Sequence, residues 1–283
     1  MVLTTEKLTQ KDKLVTLLAS HSSDFLNPNR KAALERLAEI EVPTTRNEYW
    51  KYTRIAKYLN VDFALSEHKI IDNINQYKLF QEAVCIIFVD GKFQKHLSDN
   101  FKQEGIHIKS IAAAKTENSD TFSTCFSKQT ANATEFFTLL NDSFCDDGYF
   151  IEVEEGKVLE KPIHILSVTN SENSFLNSRN LLVVGKNAQA KVIQSFHTLS
   201  GTSFINSVTE TIVKENAVVE QVLIQNESSN ASQINTIEVY QEKLSTYSIT
   251  TASLGGKFIR NNLTIVVDGE FCETNLSGYY RCS

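Results

Sequence analysis

From Asn180 to Ser283 the sequence repeats itself with no helical pattern in it, and that repetition limits the fold more than any other feature. Ala188, Ala217, Ser245 and Cys272 open four apolar-alternating runs, AQAKVIQSF, AVVEQVLIQ, STYSITTAS and CETNLSGYY, at steps of 29, 28 and 27 residues. A second series, Val183, Ile212, Val239 and Val266, precedes them in LLVV, ETIV, TIEVY and LTIVV at steps of 29, 27 and 27. Two interleaved series drifting at one period are the mark of a stacked repeat. One such unit cannot bury an apolar face alone. Stacked on its neighbour about 4.8 Å away, it buries a continuous core and pairs its backbone with the next rung. Ala188, Ala190 and Val192 then share the buried face, and Gln189 and Lys191 the other. Gly185, Asn187, Asn216 and Gly269 mark corners, where positive φ is tolerated. An antiparallel sandwich has similar short strands and turns, with Asp268-Gly269 as a hairpin. Pattern alone leaves parallel β-helix and sandwich both open.

The chain of 283 residues has room for one large or two ordinary domains, and 41% hydrophobic with 22% charged residues describes a globular protein. A net charge of −6 with no basic tract disfavours a general nucleic-acid grip. No run is long enough for a membrane span, and the mixed charge of MVLTTEKLTQKDKLVTLLAS is unlike a signal peptide. Five scattered cysteines (Cys85, Cys125, Cys145, Cys272, Cys282) argue against a disulfide framework, so the cytoplasm is the default location.

Upstream of the repeat, Lys7 to Ile40 reads as two helices, the second capped by Asn27 with Pro28 in its first turn and ended by Pro43. RNEYWKYTRIAKYLN holds the sole tryptophan. Trp50, Tyr49, Tyr52 and Tyr58 among Arg46, Lys51, Arg54 and Lys57 have the make-up of a base-stacking strip. In so acidic a chain the favoured reading is an aromatic anchor pinning this segment to the sheet domain, with its cations in water. VCIIFV (84–89) is an apolar strand, Asp90-Gly91 a turn and KFQKHL its partner. GIHIKSIAAA reads as a further strand running into a polar loop, Lys115 to Ser119, and Phe136, Leu139, Leu140 and Phe144 keep helical spacing. Near Asp146 to Gly148 the pattern turns almost wholly to strands. The expected division is therefore a helical and mixed α/β region over 1–147 and a β core over 148–283.

Catalytic signatures are missing: there is no phosphate-binding loop, GxSxG, HExxH or CxxC, and Gly255-Gly256 reads as a turn. No catalytic, cofactor-binding or metal residue is assigned. Cys272 and Cys282 are conceivable shared ligands, but an inert buried Cys272 is the plainer reading. His164 and His197 flank strands without a third ligand and read as hydrogen-bonded structural groups. Glu152, Glu154 and Glu155 read as a solvated face. The chain looks like a scaffold.

Three stretches resemble the SufB/SufD family of iron–sulfur cluster assembly proteins. NEYWKYT is similar to the N-terminal hallmark of its SufD branch. TLLNDSFCDDGYFIEVEEGKVLEKPIHI resembles the entry to the family's β-helical core. LGGKFIRNNLTIVVDGEFCETNLSGYY resembles its core motif through Leu254, Gly255, Phe258, Arg260, Asn261, Leu263, Gly269 and Gly278. The likeness runs from about residue 44 to the end. It implies a right-handed parallel β-helix behind an N-terminal helical region. It also implies a non-catalytic scaffold working with a SufB-like subunit and the ATPase SufC, on which nascent iron–sulfur clusters are built. ATP hydrolysis then belongs to SufC. Flavin is associated with the complex, and nothing in this chain resembles a flavin site. Family members continue past NLSGYY through further rungs and a helical segment that docks SufC. The family's functional cysteine and histidine positions lie in that continuation, so none is carried onto a residue here. Arg260 and Asn261 are expected at a rung corner, bonding turn backbone. The rival functions are a β-helix enzyme acting on polysaccharide and a fragment with no function of its own.

Overall fold

The computed structural model describes residues 8–20, 28–66, 71, 74–117 and 119–281. Two short helices come first, α1 (Gln10–Ala19) and α2 (Arg30–Glu39). Thr9 closes a capping box with Asp12 at the start of α1. Asn29, not Asn27, occupies the cap position of α2, and its amide donates instead to the Ser127 carbonyl; Asn27 lies outside the described residues. Then follow β1 (Val84–Val89), β2 (Lys92–Phe93), β3 (Ile106–Ser110), α3 (Ile111–Thr116), α4 (Asp120–Cys125) and α5 (Phe136–Phe144). The sequence placed a strand and a polar loop where β3 gives way to α3 and α4. Ser110 ends the strand by capping α3, accepting from the Ala113 N–H, and the alanine run behind it is helix-forming.

Beyond residue 148 every element is a strand: β4 (Tyr149–Val153), β5 (Ile163–Thr169), β6 (Ser174–Val184), β7 (Gln189–Thr198), β8 (Ser203–Val213), β9 (Val218–Gln225), β10 (Ala231–Gln241), β11 (Thr246–Ser253), β12 (Phe258–Val267) and β13 (Glu273–Tyr280). Odd and even strands sort into two sheets. Sheet I has seven strands in the order β13-β11-β9-β7-β5-β1-β2, and sheet II has six in the order β12-β10-β8-β6-β4-β3. All pairings from β4 onward are parallel and skip one strand, so the chain winds as a parallel β-helix of about five turns. The sandwich is excluded, and Asp268-Gly269 is a corner between β12 and β13, not a hairpin. The sheets begin before residue 148: β1 pairs in parallel with β5, and β3 pairs antiparallel with β4.

The first repeat series holds: the rungs align Ala188, Ala217, Ser245 and Cys272, with the following amides bonding to the carbonyls one turn back. The second slips at one place. Val183 and Ile212 align with Tyr240, not Val239, before the ladder returns to Val266. A slip of one residue turns a strand side chain to the opposite face. Val239 accordingly lies in the lumen with Leu182 and Ile265, while Tyr240 packs outward beside Val183 and Ile212.

Between the sheets runs one apolar core, from Val84, Ile86 and Phe88 through Ile163, Val192 and Val219 to Tyr247 and Ile249. The outer face of sheet II is covered by protein: α3 and α4 at one end, α5, α2, α1 and Trp50 at the other. All nine residues of α5 are buried, polar ones included. Gly148 stands where α5 hands over to the first core strand. A Cβ there would lie 1.7 Å from the Arg179 carbonyl oxygen, so only glycine fits.

Candidate functional site

On the outer face of sheet I, neighbouring strands bring together Cys85, His164, Ser195 and His197 under the segment 74–80. His164 Nε2 lies 2.7 Å from Ser195 Oγ, and its Nδ1 lies 3.9 Å from Cys85 Sγ. Phe80 meets the His164 ring edge-on, and Tyr77 packs against His197. Burial, then the neighbouring His197 and Lys78, lowers His164 to about 4; burial raises Cys85 to about 11. The row is thus neutral: a thiol and an imidazole held apart from ionisation, not a nucleophile with its base. Cys272 sits half-buried at a corner, its thiol donating to the Glu242 and Gly269 carbonyls. Cys282 lies outside the described residues. Of the acidic trio, Glu152 on β4 accepts from Thr121, and Glu154, just past the end of that strand, meets His107.

Where α5 closes over sheet II, a buried ion cluster forms that the sequence did not announce. Arg179, with no exposed surface, meets Asp142 of α5 and Glu210 of the next rung at 2.8 Å each. Its guanidinium also donates to Ser127, Thr130 and Asn141, while Glu210 accepts from the Ser127 and Gln129 amides. Burial alone works against its charge; the carboxylates of Asp142 and Glu210 outweigh it and hold the guanidinium more firmly protonated than usual. The cluster ties helix, loop and two rungs together.

One rung further on, a cleft of about 750 Å³ opens between the segment 40–50, the start of α5 and the outer face of β10 and β12. Arg260 and Asn261 are therefore mid-strand, not at a corner. Alternation points Asn261 into the lumen, where its amide pairs with that of Gln225, and Arg260 outward into the cleft. The Arg260 guanidinium stacks on Trp50, 4.1 Å from the ring centroid, and its Nε donates to Asn262. Glu135 caps α5 by accepting from the Phe137 and Thr138 amides; burial raises its pKa against those bonds and the attraction of Arg260. Glu238, stacked on Glu210 of the preceding rung, is raised to about 7, first by burial and further by that neighbouring charge. Such a cleft can bind and orient. It presents no nucleophile beside a base and no cradle of backbone amides.

The aromatic segment splits in two. Trp50, Ile55 and Leu59 are buried, and Tyr58 stacks on Phe258, so these do anchor the segment to sheet II. Tyr49 and Tyr52 do not: they are 86% and 91% exposed. The sequence could not divide them, because the segment turns as two 3-10 helices, Glu48–Trp50 and Ile55–Lys57, with no long period to read.

Comparison with known proteins then gives a consistent answer. A family model for the SufBD protein N-terminal region matches residues 8–165, and one for the SUF system FeS cluster assembly SufBD core domain matches residues 167–283. An iron–sulfur cluster assembly SufBD family protein of Synechocystis is 25% identical over 284 residues, covering 95% of this chain and 62% of that protein. The iron–sulfur cluster assembly protein SufD of Escherichia coli is 24% identical over 250 residues, 86% of this chain and 56% of its own length. SufB of Bacillus subtilis is 25% identical over 177 residues, 62% of this chain and 38% of SufB. The chain thus spans between 38% and 62% of the length of these relatives.

Proposed function

The chain belongs to the SufB/SufD family, and from that premise we propose that it is a SufD-like scaffold subunit in iron–sulfur cluster assembly. It acts by holding partners, a SufB-like subunit and a SufC-like ATPase, and performs no chemistry of its own. The observation that carries this reading is the continuity of the two family regions along one β-helix whose sheet II is largely covered by the chain's own helices. A polysaccharide-cleaving β-helix instead needs an open groove with acid and base groups on the sheet face. Here Glu210 and Asp142 are locked to a buried arginine. Of the carboxylates in the open cleft, Glu41 pairs with Lys11 and Glu135 is committed to capping α5, which leaves Glu238 without a second free acid or base.

In this reading the cluster is cargo of the assembled complex, and any flavin is likewise held at that level. Cys272 supports it only by its state, since its thiol proton already serves two carbonyls. The test is co-purification of the tagged chain with SufB and SufC of the same organism. Retention of SufB is expected; recovery of neither partner sinks the proposal. The chain by itself should turn over no ATP, and measurable hydrolysis tracking the purified chain would overturn the non-catalytic part.

A further inference from the structure

The strip from Thr44 to Lys57 has a character that anchoring does not explain. Tyr52 and Tyr49 are the two most exposed large apolar side chains among the described residues. Around them Arg46, Lys51, Arg54 and Lys57 face a single carboxylate, Glu48, in a chain whose net charge is −6. No described carboxylate lies within ion-pair distance of Arg46, Lys51 or Arg54. Lys51 instead lies over the Tyr52 ring, 5.5 Å from its centroid. Cations thus gather here on an otherwise acidic molecule, and among the described residues Arg46, Lys51 and Arg54 have no carboxylate to neutralise them.

The strip is also held rigid. The Thr44 amide bonds to Asn47 Oδ1 at 2.8 Å, the Trp50 amide to the Asn47 carbonyl at 2.9 Å, and the Thr53 amide to the Trp50 carbonyl at 2.8 Å. Trp50 packs on Phe137 at 5.6 Å between ring centroids and carries Arg260 on its other side, while Ile55 is wholly buried. Tyr49 and Tyr52 therefore project from a fixed frame, and little side-chain or backbone freedom is lost when something lands on them. Tyrosine and arginine are the residues that most often carry binding energy at protein interfaces, with lysine at the rim. Beside them the cleft of about 750 Å³ takes Thr44, Asn47, Tyr49 and Trp50 into its wall, so exposed strip and concave pocket are continuous.

We propose that this strip and its cleft form a docking surface for an extended acidic segment of a partner protein. Carboxylates of that segment meet Arg46, Lys51 and Arg54, and its apolar side chains lie across Tyr49 and Tyr52 into the cleft mouth. Charge complementarity selects this occupant. The cleft wall sets Glu135 and Glu238 against a single cation, Arg260, which is already stacked on Trp50 and bonded to Asn262, so the carboxylates sit on the strip and the apolar groups lie at the cleft mouth. A single-stranded nucleic acid uses the same cations and rings but must bring its phosphates against an acidic body. The inference stands apart from the scaffold reading, because it rests on the exposed strip and the adjoining cleft and not on family membership.

Trp50 is the only tryptophan and lines the cleft, so its emission reports the site directly. The full chain would be titrated with a capped peptide alternating Glu and Leu, with its Lys-for-Glu counterpart, and with oligouridylate. Binding of the acidic peptide should shift Trp50 emission and weaken as salt is raised. It should also fall by about tenfold or more in both Tyr49→Ser/Tyr52→Ser and Arg46→Gln/Lys51→Gln/Arg54→Gln. These side chains are solvent-exposed, so both variants should keep the wild-type circular dichroism and melting temperature. No Trp50 response, equal binding of the lysine peptide, or affinity unchanged in both variants would overturn the proposal. Tighter binding of oligouridylate, abolished by the same variants, would also overturn it and make the strip a nucleic-acid surface.

Discussion

Arg179 is held by Asp142 and Glu210 with no solvent access, so its removal leaves two buried carboxylates without the cation that offsets their charge. Arg179→Met should cost about 3 to 5 kcal/mol, read as a lower urea midpoint with the slope unchanged. A second residue governs the response to pH. Glu227 takes a hydrogen bond from Thr198 through one oxygen and has no partner on the other; burial raises its pKa from 4.5 to about 7. Between these values the native state holds more protons than the unfolded state, so the contribution of Glu227 to stability is complete below about 4.5 and lost as pH rises to about 7. Glu227→Gln removes that loss. The variant should gain on the wild type over this window, by on the order of 3 kcal/mol at most, in denaturation curves taken at successive pH values. His164, lowered from 6.5 to about 4, acts in the opposite sense over most of the same window, which is why the difference between variant and wild type is the quantity to follow. Neither residue stood out in the sequence. Glu210 and Glu238 do lie one rung apart, but nothing local says that α5 will close over Arg179 and dry the site. Burial of a polar side chain is decided by what packs on it from far along the chain.

At the scale of the element, the corners of sheet I tell how far local sequence reaches. Asn187, Asn216, Leu244 and Phe271 occupy the same corner position in successive turns, with φ of 58, 55, 62 and 58°. Asparagine tolerates that region, and the first two were legible as turn residues for that reason. Leucine and phenylalanine give no such signal, though the corner forces the same backbone on them. The side chain of Leu244 is 47% exposed, so it gives up little packing if replaced. Asn216 already donates its amide to Asn187 at 2.8 Å, and an asparagine at 244 would stand one rung further along that ladder. Leu244→Asn should therefore raise stability by about 1 kcal/mol, seen as a melting temperature a few degrees higher. The slip at Val239 has a related cause. TIEVY offers two large apolar residues in succession, and only the register with β8 and β12 decides which faces the lumen.

For the molecule as a whole, period and alternation were enough to suggest the stacked core, and the resemblance of three motifs chose β-helix over sandwich. What lay beyond reach is how the front of the chain joins it. VCIIFV was legible as an apolar strand, but its parallel partnership with β5, about 80 residues on, carries no local mark. The exposed tyrosines were invisible for the same reason that the anchors were visible: aromatic residues look alike until the fold divides them. The stacking has one consequence for how the protein is made. Each rung finds its partner only in the rung before it, at a spacing of 27 to 29 residues along the first repeat series. A ribosome delivers that much chain in roughly 1.5 to 6 seconds, far longer than the microseconds in which short stretches collapse or pair. The nascent chain thus has time to lay down every turn upon a finished one, with β1 and β3 of the front region already made as the template for the first.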